Sequence, residues 1–215
     1  MTKVKICGLS RERDIEAVNR CRPDYVGFVM AESRRRVTPE MAERLKARLD
    51  PGIKAVGVFV NEDIRLIVEL YTAGIIDTVQ LHGDEDADYI STLKRAIPAL
   101  IIKAVRVHSR QQIYEAQVLP ADLLLLDTYN HGKFGGSGRS FDWSLIPILS
   151  KRFFLAGGLN ISNIGAAIRA VRPGAVDISS GVETDGLKDE DKIREIIAMI
   201  RAADKAHYRG RINSI

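Results

Sequence analysis

Apolar residues occur in short runs along this chain, separated by longer and more polar intervals. Eight runs of strand length begin at Val4, Tyr25, Lys54, Thr78, Leu100, Leu123, Phe153 and Val176. Successive starts lie between 21 and 30 residues apart. That spacing holds one strand, one helix and two short loops, which is the length of a βα unit. The pattern therefore predicts parallel strands joined by helical crossovers.

Several of the intervals carry the start signals and the periodicity of helices. Thr38 followed by Pro39 is typical of an N-cap and a first helical position. We expect Asn61 to cap a second helix, Asn160 to precede a third, and the last helix to end before the segment HYRGRINSI. The apolar positions at helical spacing are Ile64, Ile67, Val68 and Tyr71, then Ile164, Ala167, Ile168 and Val171, then Ile193, Ile196, Ile197 and Ile200.

Eight evenly spaced units favour one closed barrel. The predicted fold is α/β, a single (βα)8 TIM barrel domain that spans residues 1–215, a length at the short end of the range for such barrels. No stretch rich in proline, glycine and serine divides the chain. The alternative is an open, doubly wound sheet, which requires no particular number of strands.

Composition and charge narrow the class of protein. The chain has 46% hydrophobic and 28% charged residues and a net charge of +4. Acidic side chains are interspersed among the basic ones, so we expect no nucleic-acid partner, whereas a small anionic ligand fits. Cys7 and Cys21 form no CxxC pair, which argues against a disulfide scaffold and a cysteine-based zinc site. The sequence shows no signal peptide and no run of about 20 apolar residues, so we expect a cytoplasmic protein without a membrane partner.

Polar residues and glycines gather at the ends of the predicted strands. In a barrel, the catalytic residues lie at these C-terminal strand ends and in the loops that follow them. The residues found there are Cys7 and Gly8; Gln80, His82 and Gly83; Asp127; Gly157 and Gly158; and Ser179, Ser180 and Gly181. We expect the functional site at this end of the barrel.

The run LLLLDT, residues 123–128, is apolar on both faces and ends in a carboxylate. A carboxylate near an apolar interior is costly unless it is paired, hydrogen-bonded or protonated. Asp127 is therefore either a functional group at the rim of the barrel or a loop residue just past a buried strand.

Side-chain alternation relates the first strand to the last. It puts Lys5 and Cys7 on one face of the first strand and Asp177 and Ser179 on one face of the last. These strands are neighbours in a closed barrel, so Lys5 can face Asp177 below Cys7. A nearby cation lowers the pKa of a thiol, and we hypothesise that Lys5 favours the Cys7 thiolate. The alternative is that Cys7 is a small buried hydrophobic residue, the commoner role of a free cysteine.

Two glycine segments suit a phosphate group. AGGLN, residues 156–160, runs into a helix that we expect to begin near Ile161, and the N-terminus of a helix binds phosphate well. SSGVE, residues 179–183, adds hydroxyl groups after the last strand. Barrels often bind phosphate at the loops after strands 7 and 8.

Two other loops are candidates for ligand contact. The loop of residues 129–141, which contains FGGSG, is long enough to be a lid or a binding loop, or else a disordered surface loop. ESRRRV, from Glu32, is either a solvated patch or a fork for a substrate carboxylate. A thiol base and a carboxylic acid across the barrel mouth suit proton transfer, as in an isomerase. The sequence shows no metal cluster and no dinucleotide fingerprint, so we expect neither a metal nor a cofactor.

The order and spacing of these motifs resemble one enzyme family from the first strand to the last. The motifs are KICGL, GFV, VGVFVNE, VQLHGDE, LLLDT, GGSGRSFDWSLI, AGGLN and VDISSGVE. They are similar to those of the phosphoribosylanthranilate isomerases of tryptophan biosynthesis, in the monofunctional form. The resemblance implies an Amadori rearrangement of N-(5-phosphoribosyl)anthranilate to an aminodeoxyribulose phosphate.

The resemblance also implies the roles of individual residues. Asp127 would be the general acid that opens the ribose ring, and Cys7 the general base that removes the proton from ribose C2. The Ser-x-Arg motif selects Arg35 for the anthranilate carboxylate, although this loop lacks the usual proline and Arg34 or Arg36 could take the role. His82 and Asp177 join the substrate-binding set. The phosphate-binding residues implied are Gly157, Gly158, Ser180 and Gly181.

The resemblance implies a small phosphorylated substrate as partner and a monomer or homodimer as assembly. Two alternatives remain at the level of the residues. One is another phosphosugar barrel, such as an indole-glycerol-phosphate synthase or a metal-dependent pentose-phosphate epimerase. The other is a non-catalytic protein that binds a phosphorylated ligand.

Overall fold

Eight parallel strands close into a barrel in chain order, with β1 hydrogen-bonded to both β2 and β8. The structure is a computed structural model that describes residues 1–128 and 140–212, with side chains described through residue 205. The strands of the barrel are β1 (Lys3–Cys7), β2 (Tyr25–Val29), β3 (Lys54–Phe59), β4 (Thr78–Leu81), β5 (Leu100–Val107), β6 (Leu123–Thr128), β7 (Phe153–Leu155) and β8 (Ala175–Ile178). The closed barrel confirms the predicted fold and excludes the open sheet.

Helices pack around the barrel between most of the strands. They are α1 (Glu12–Cys21), α2 (Pro39–Ala47), α3 (Ile64–Thr72), α4 (Ala87–Ala96), α5 (Arg110–Gln117), α6 (Ile164–Val171) and α7 (Glu190–Ile212). In the described part of the interval between β6 and β7, a 3₁₀ turn (Trp143–Leu145) stands where the pattern predicted an α-helix. The glycine-rich loop predicted as a lid falls mostly on residues 129–139, outside the described residues.

One predicted helix start is confirmed and others are wrong. The Thr38 side chain caps α2 by accepting a hydrogen bond from Met41 N, with Pro39 as the first helical residue. The cap of α3 is Asp63 and not Asn61, because the Asp63 carboxylate reaches Arg65 N. Asn61 instead has a φ of 50° and accepts a hydrogen bond from Asp84 N in the neighbouring loop.

Two further boundaries differ from the prediction. Helix α6 begins at Ile164 and not near Ile161, because the Asn160 side chain folds residues 160–163 into a turn by accepting from Ser162 N and Oγ. Helix α7 continues to Ile212, so most of the segment predicted to follow the last helix belongs to it.

Two apolar layers account for the stability of the barrel. Leu125 packs inside the barrel with Val56, Ile102 and Phe154, whereas Leu124 and Leu126 on its two sides face the outer layer with α5. The leucine run is therefore apolar on both faces because both faces of this strand are buried, as is usual in parallel sheets. The inner layer leaves the upper part of the barrel to polar side chains.

No helix in the described ranges 1–128 and 140–212 combines the length and apolar character needed to cross a membrane.

The fit between barrel and helices gives a testable stability prediction at Gly57 in β3. A Cβ at this position would lie 2.7 Å from Phe59 Cε2 and 3.0 Å from Ile76 Cδ1, within the packed outer layer. We expect Gly57→Ala to lower the free energy of unfolding by about 1–3 kcal/mol, the usual cost of overpacking a core. The measurement is urea unfolding followed by circular dichroism.

Gly174→Ala is the matched control for this substitution. A Cβ at Gly174 would meet its nearest neighbours at 3.5 Å and 3.8 Å, which is ordinary contact. We expect a change within about 0.5 kcal/mol, as at most sites away from special features. Equal losses in the two variants would contradict the packing argument.

Candidate active site

A cavity of about 810 Å³ opens at the C-terminal ends of the barrel strands. Most of the residues predicted from the sequence line it, namely Cys7, Arg35, His82, Asp127, Gly157, Gly158, Asp177 and Ser180. Its volume falls in the range typical of small-molecule sites. The structure therefore brings together, in one place, groups from β1, β2, β4, β6, β7 and β8 and the loops that follow them.

A buried ion pair lies at the seam between the first and last strands. Lys5 and Asp177 are partners in the register of β1 and β8, and Lys5 Nζ lies 3.0 Å from Asp177 Oδ2. This confirms the pairing expected from alternation. Burial disfavours the charged form of Lys5, but Asp177 and Cys7 outweigh it, so the pKa of Lys5 lies above its ordinary value. Asp177 Oδ1 has no hydrogen-bond partner among the described residues and is free for a ligand.

Cys7 sits above this ion pair on the same face of β1. A Cβ at Gly27 would lie 2.6 Å from Cys7 Sγ and 3.2 Å from Lys5 Nζ, so the lack of a side chain at Gly27 makes room for both groups. Burial raises the pKa of the Cys7 thiol, and the Lys5 ammonium and Lys188 act in the opposite direction. Lys5 thus favours the thiolate as hypothesised, but burial has the larger effect.

Asp127 faces the cavity from the end of β6. Side chains alternate along β6, so Asp127 points into the barrel like Leu123 and Leu125, and only 8% of the residue is exposed. Asp127 Oδ1 accepts a hydrogen bond from Thr128 N at 2.7 Å, and Oδ2 lies 3.3 Å from His82 Nε2. Asp127 is therefore part of the barrel interior and not a residue of a solvated loop.

A buried network holds the loop that carries His82. Lys103 Nζ donates to Gly83 O and to Glu85 Oε2, both at 2.7 Å. The Glu85 carboxylate in turn accepts from Gly83 N and from Asn61 N. The charges of Lys103 and Glu85 compensate each other, and their hydrogen bonds fix the backbone around His82. This restricts the position of the imidazole.

The turn at Gly157 and Gly158 presents backbone N–H groups to the cavity. Both glycines have positive φ, 85° and 61°, which explains why glycine is needed here. The Gly158 carbonyl accepts from Asn160 Nδ2 and Asn163 Nδ2 and is thereby fixed. Neither glycine N–H has a backbone acceptor within the described ranges, and both glycines line the cavity. The later start of α6 moves the helix N-terminus three residues further from this turn than predicted.

Gly181 has a packing role that the sequence did not reveal. It is absent from the cavity wall, and a Cβ there would lie 1.9 Å from the carbonyl oxygen of Leu159. Only glycine lets the loops after β7 and β8 approach this closely. Gly181 therefore brings Ser180 next to the Gly157–Gly158 turn.

The three arginines after β2 have different environments. Arg35 forms a bidentate pair with Glu183, through Nε to Oε1 at 2.6 Å and Nη2 to Oε2 at 2.8 Å. Arg34 reaches the same carboxylate from a more exposed position. Arg36 lines the cavity, and its side chain has no hydrogen bond or ion pair with the described residues. The stem of Arg35 packs on Gly8, next to Cys7, so this guanidinium lies in the cavity wall.

Glu183 and Lys188 are site residues that sequence reasoning missed. They lie on a hairpin of β9 (Glu183–Thr184) and β10 (Leu187–Lys188), and Lys188 Nζ lies 2.7 Å from Glu183 Oε1. Arg35 and Lys188 outweigh the effect of burial and hold the pKa of Glu183 below its ordinary value. The sequence signal for this hairpin was the pair Asp185-Gly186, which is typical of a two-residue hairpin turn. In the structure, the two residues have φ angles of 52° and 77°.

Within residues 1–128 and 140–205, no three histidine, cysteine, aspartate or glutamate side chains are arranged to hold a metal ion. The residues that line the cavity can support acid–base chemistry. A carboxyl group and a thiol face one cavity, whose wall also contains arginines and the Gly157–Gly158 turn. Such a cavity can move protons on a small anionic ligand.

Comparison with known proteins shows which family this sequence is similar to. The family model described as N-(5′-phosphoribosyl)anthranilate isomerase matches residues 4–199. A protein of that name from Endomicrobium trichonymphae is 48% identical over 202 residues, which cover 94% of this chain and 100% of the relative.

Solved structures of phosphoribosyl anthranilate isomerases are similar to this chain. Monomers of the dimeric enzyme from Thermotoga maritima have a TM-score of 0.80 and 36% identity, covering 94% of this chain and 100% of theirs. A phosphoribosyl anthranilate isomerase in complex with reduced 1-(o-carboxyphenylamino)-1-deoxyribulose 5-phosphate has a TM-score of 0.79 and 34% identity, with the same coverage.

The electrostatic link between Lys5 and Cys7 predicts a change in thiol reactivity. We expect Lys5→Met to raise the pKa of Cys7 further, because a cation that favours the thiolate is lost while burial remains. The measurement is the pH dependence of iodoacetamide alkylation in a Cys21→Ala background, and the curve should move to higher pH.

Two controls isolate the cause. Lys3→Met removes a cation from the same strand, where it lies over the Tyr25 ring, and should leave the curve unchanged. Lys5→Met/Asp177→Asn removes both charges of the pair and should give a smaller shift, because Asp177 itself raises the pKa of Cys7. An unchanged curve in folded Lys5→Met protein would remove the electrostatic link.

Proposed function

This chain belongs to the N-(5′-phosphoribosyl)anthranilate isomerase family, and on that premise we propose that Asp127 and Cys7 carry out the family's reaction in the cavity. The chain is an isomerase of tryptophan biosynthesis. It converts N-(5-phosphoribosyl)anthranilate to 1-(2-carboxyphenylamino)-1-deoxyribulose 5-phosphate. The observation that carries the assignment of roles is that the Asp127 carboxyl group and the Cys7 thiol face one cavity from β6 and β1.

Asp127 is the general acid of the first step. Its protonated carboxyl group gives its proton to the ring oxygen of the ribose, the bond between C1 and that oxygen breaks, and the nitrogen lone pair forms a Schiff base. The support for this role is the position of Asp127, which faces the cavity from the end of β6 with only 8% of the residue exposed.

Cys7 is the general base of the second step. The thiolate removes the proton from C2, and the electron pair of that C–H bond moves toward the Schiff base to give an enolamine. Tautomerisation of the enolamine gives the ketone product. The Lys5 ammonium below Cys7 supports this role by stabilising the thiolate against the cost of burial.

The phosphate group binds at the loops after β7 and β8. The N–H groups of Gly157 and Gly158 and the hydroxyl of Ser180 supply donors, and Gly181 holds the two loops together. The support for this is the usual position of phosphate in barrels and the strength of hydrogen bonds to a charged acceptor.

Arg35 binds the anthranilate carboxylate. Glu183 holds its guanidinium by two hydrogen bonds, which leaves the remaining N–H groups available in the cavity wall. Arg34 is exposed over 61% of its side chain against 13% for Arg35, which makes Arg35 the better placed of these two. Arg36 remains a second donor at the cavity wall.

His82 and Asp177 complete the substrate contacts, His82 beside Asp127 and Asp177 through its unpaired Oδ1. We further propose a single-domain enzyme over residues 1–215, a cytoplasmic location, and a monomer or homodimer. Nucleic acid and membranes have no part in this proposal. The dimeric relative from Thermotoga maritima supports the homodimer.

Turnover is the direct test of the catalytic roles. Purified protein is mixed with freshly made phosphoribosylanthranilate, and the product is followed by chromatography. We expect Asp127→Asn and Cys7→Ala each to lower kcat by about 10²–10⁴-fold, the usual contribution of a general acid or base. Cys21→Ala is the matched control and should keep full activity, since Cys21 packs between α1 and α7, away from the cavity.

Full activity in either Asp127→Asn or Cys7→Ala would remove that residue from the mechanism. A folded parent that binds phosphate without turnover would favour the non-catalytic binding protein instead.

Arg35→Lys tests the carboxylate site. We expect KM to rise by about 10–100-fold, because a hydrogen bond to a charged group contributes about 1.5–3 kcal/mol and lysine cannot replace the planar fork. Arg34→Lys is the control on the neighbouring, exposed residue and should change KM by less than about threefold. The assignment moves to Arg36 if Arg36→Lys, and not Arg35→Lys, raises KM.

A further inference from the structure

We infer that Gln80 is a positioning residue, which fixes the tautomer of His82 so that its Nε2–H points at the Asp127 carboxylate. The inference rests on the proposed function, in that Asp127 is taken as the general acid. It adds a residue of β4 to the catalytic arrangement, one to which the sequence motifs assigned no role.

The contact between Gln80 and His82 carries the inference. Gln80 Nε2 lies 2.9 Å from His82 Nδ1, a hydrogen-bond distance. An amide nitrogen can only donate, so Nδ1 must accept and carries no proton. A neutral imidazole has one N–H, and it is therefore on Nε2.

The other ring nitrogen of His82, Nε2, faces the Asp127 carboxyl group. His82 Nε2 is buried, has no hydrogen bond within the described part of the chain, and lies 3.3 Å from Asp127 Oδ2. Catalytic hydrogen bonds are often long in the absence of substrate and tighten in the reacting complex. When Asp127 has given its proton to the ring oxygen, the Nε2–H becomes the donor that stabilises the carboxylate left behind.

Gln80 is held in place for this task. Only 1% of the residue is exposed, and its strand partner Ile102 belongs to the inner apolar layer. If the amide were reversed, Oε1 would accept from Nδ1–H, and a lone pair on Nε2 would face the ionised Asp127 carboxylate. The observed orientation avoids this repulsion after proton transfer.

The Lys103–Glu85 network supports the same geometry from the outer side. It fixes the backbone at Gly83, directly after His82. The imidazole ring is therefore held in two ways, by the hydrogen bond with Gln80 and by the fixed backbone beside it. Gln80 Oε1 is buried without a hydrogen bond among the described residues. Because Gln80 also lines the cavity, the test must separate positioning of His82 from contact with substrate.

The first measurement is spectroscopic and requires no substrate. Protein labelled with ¹⁵N-histidine is examined by NMR at about pH 8, where an ordinary histidine is neutral. His82→Gln identifies the His82 signals by their loss. We expect Nδ1 to give an unprotonated, pyridine-like signal and Nε2 a protonated, pyrrole-like one. Gln80→Met should give a mixture of both tautomers.

The second measurement separates positioning from substrate binding. We expect Gln80→Met to lower kcat by about tenfold or more with KM within about threefold, because an orienting group acts in the transition state. Thr78→Val is the matched control, since Thr78 is also buried, has the same inward parity on β4, and lies at the opposite end of the barrel. It should change neither constant by more than about twofold.

Three results would overturn the inference. They are a protonated Nδ1 in the parent protein, an unchanged tautomer in Gln80→Met, or a loss confined to KM, which would make Gln80 a substrate ligand only. Absence of turnover in the parent would contradict the proposed function, while the tautomer measurement would still decide for or against the contact with Gln80.

Discussion

The ion pair of Lys5 and Asp177 is the interaction on which the rest of the site depends. Burying an ammonium group completely costs several kcal/mol, and removal of one partner typically costs about 3–5 kcal/mol. The barrel closes between β1 and β8, and the pair bridges these two strands. The same charges lie directly below Cys7. The structure therefore couples closure of the fold to the electrostatic environment of the proposed base.

Above this pair, the site is organised by layers. The apolar layer around Leu125 and Phe154 lies inside the barrel, and the cavity opens at the C-terminal ends of the strands, where the polar groups gather. Asp127 and Cys7 approach from strands that are not neighbours. In the proposed mechanism, the general acid therefore approaches the ring oxygen from one strand and the general base approaches C2 from another.

Much of this could be predicted from the sequence, and the failures have physical reasons. The hydrophobic runs predict where strands begin, as at Thr78 and Leu100, because strands that are buried on both faces consist mainly of apolar residues. The error at Asn61 arose because Asn and Asp both cap helices, and only tertiary contacts assign Asn61 to Asp84. The pairing of Arg35 with Glu183 depends on two loops that are distant in the chain. Side-chain orientation at His82 is likewise set by three-dimensional neighbours and not by spacing.

The seam between β1 and β8 also sets an order of events during synthesis. Lys5 and Asp177 are separated by 172 positions along the chain. At about 5–20 residues per second, Lys5 is synthesised roughly 9–35 s before its counter-charge exists. Until then, β1 has an open edge and a lysine without its partner. The last strand of the nascent chain therefore completes the first, and premature termination before β8 would leave the whole barrel unclosed.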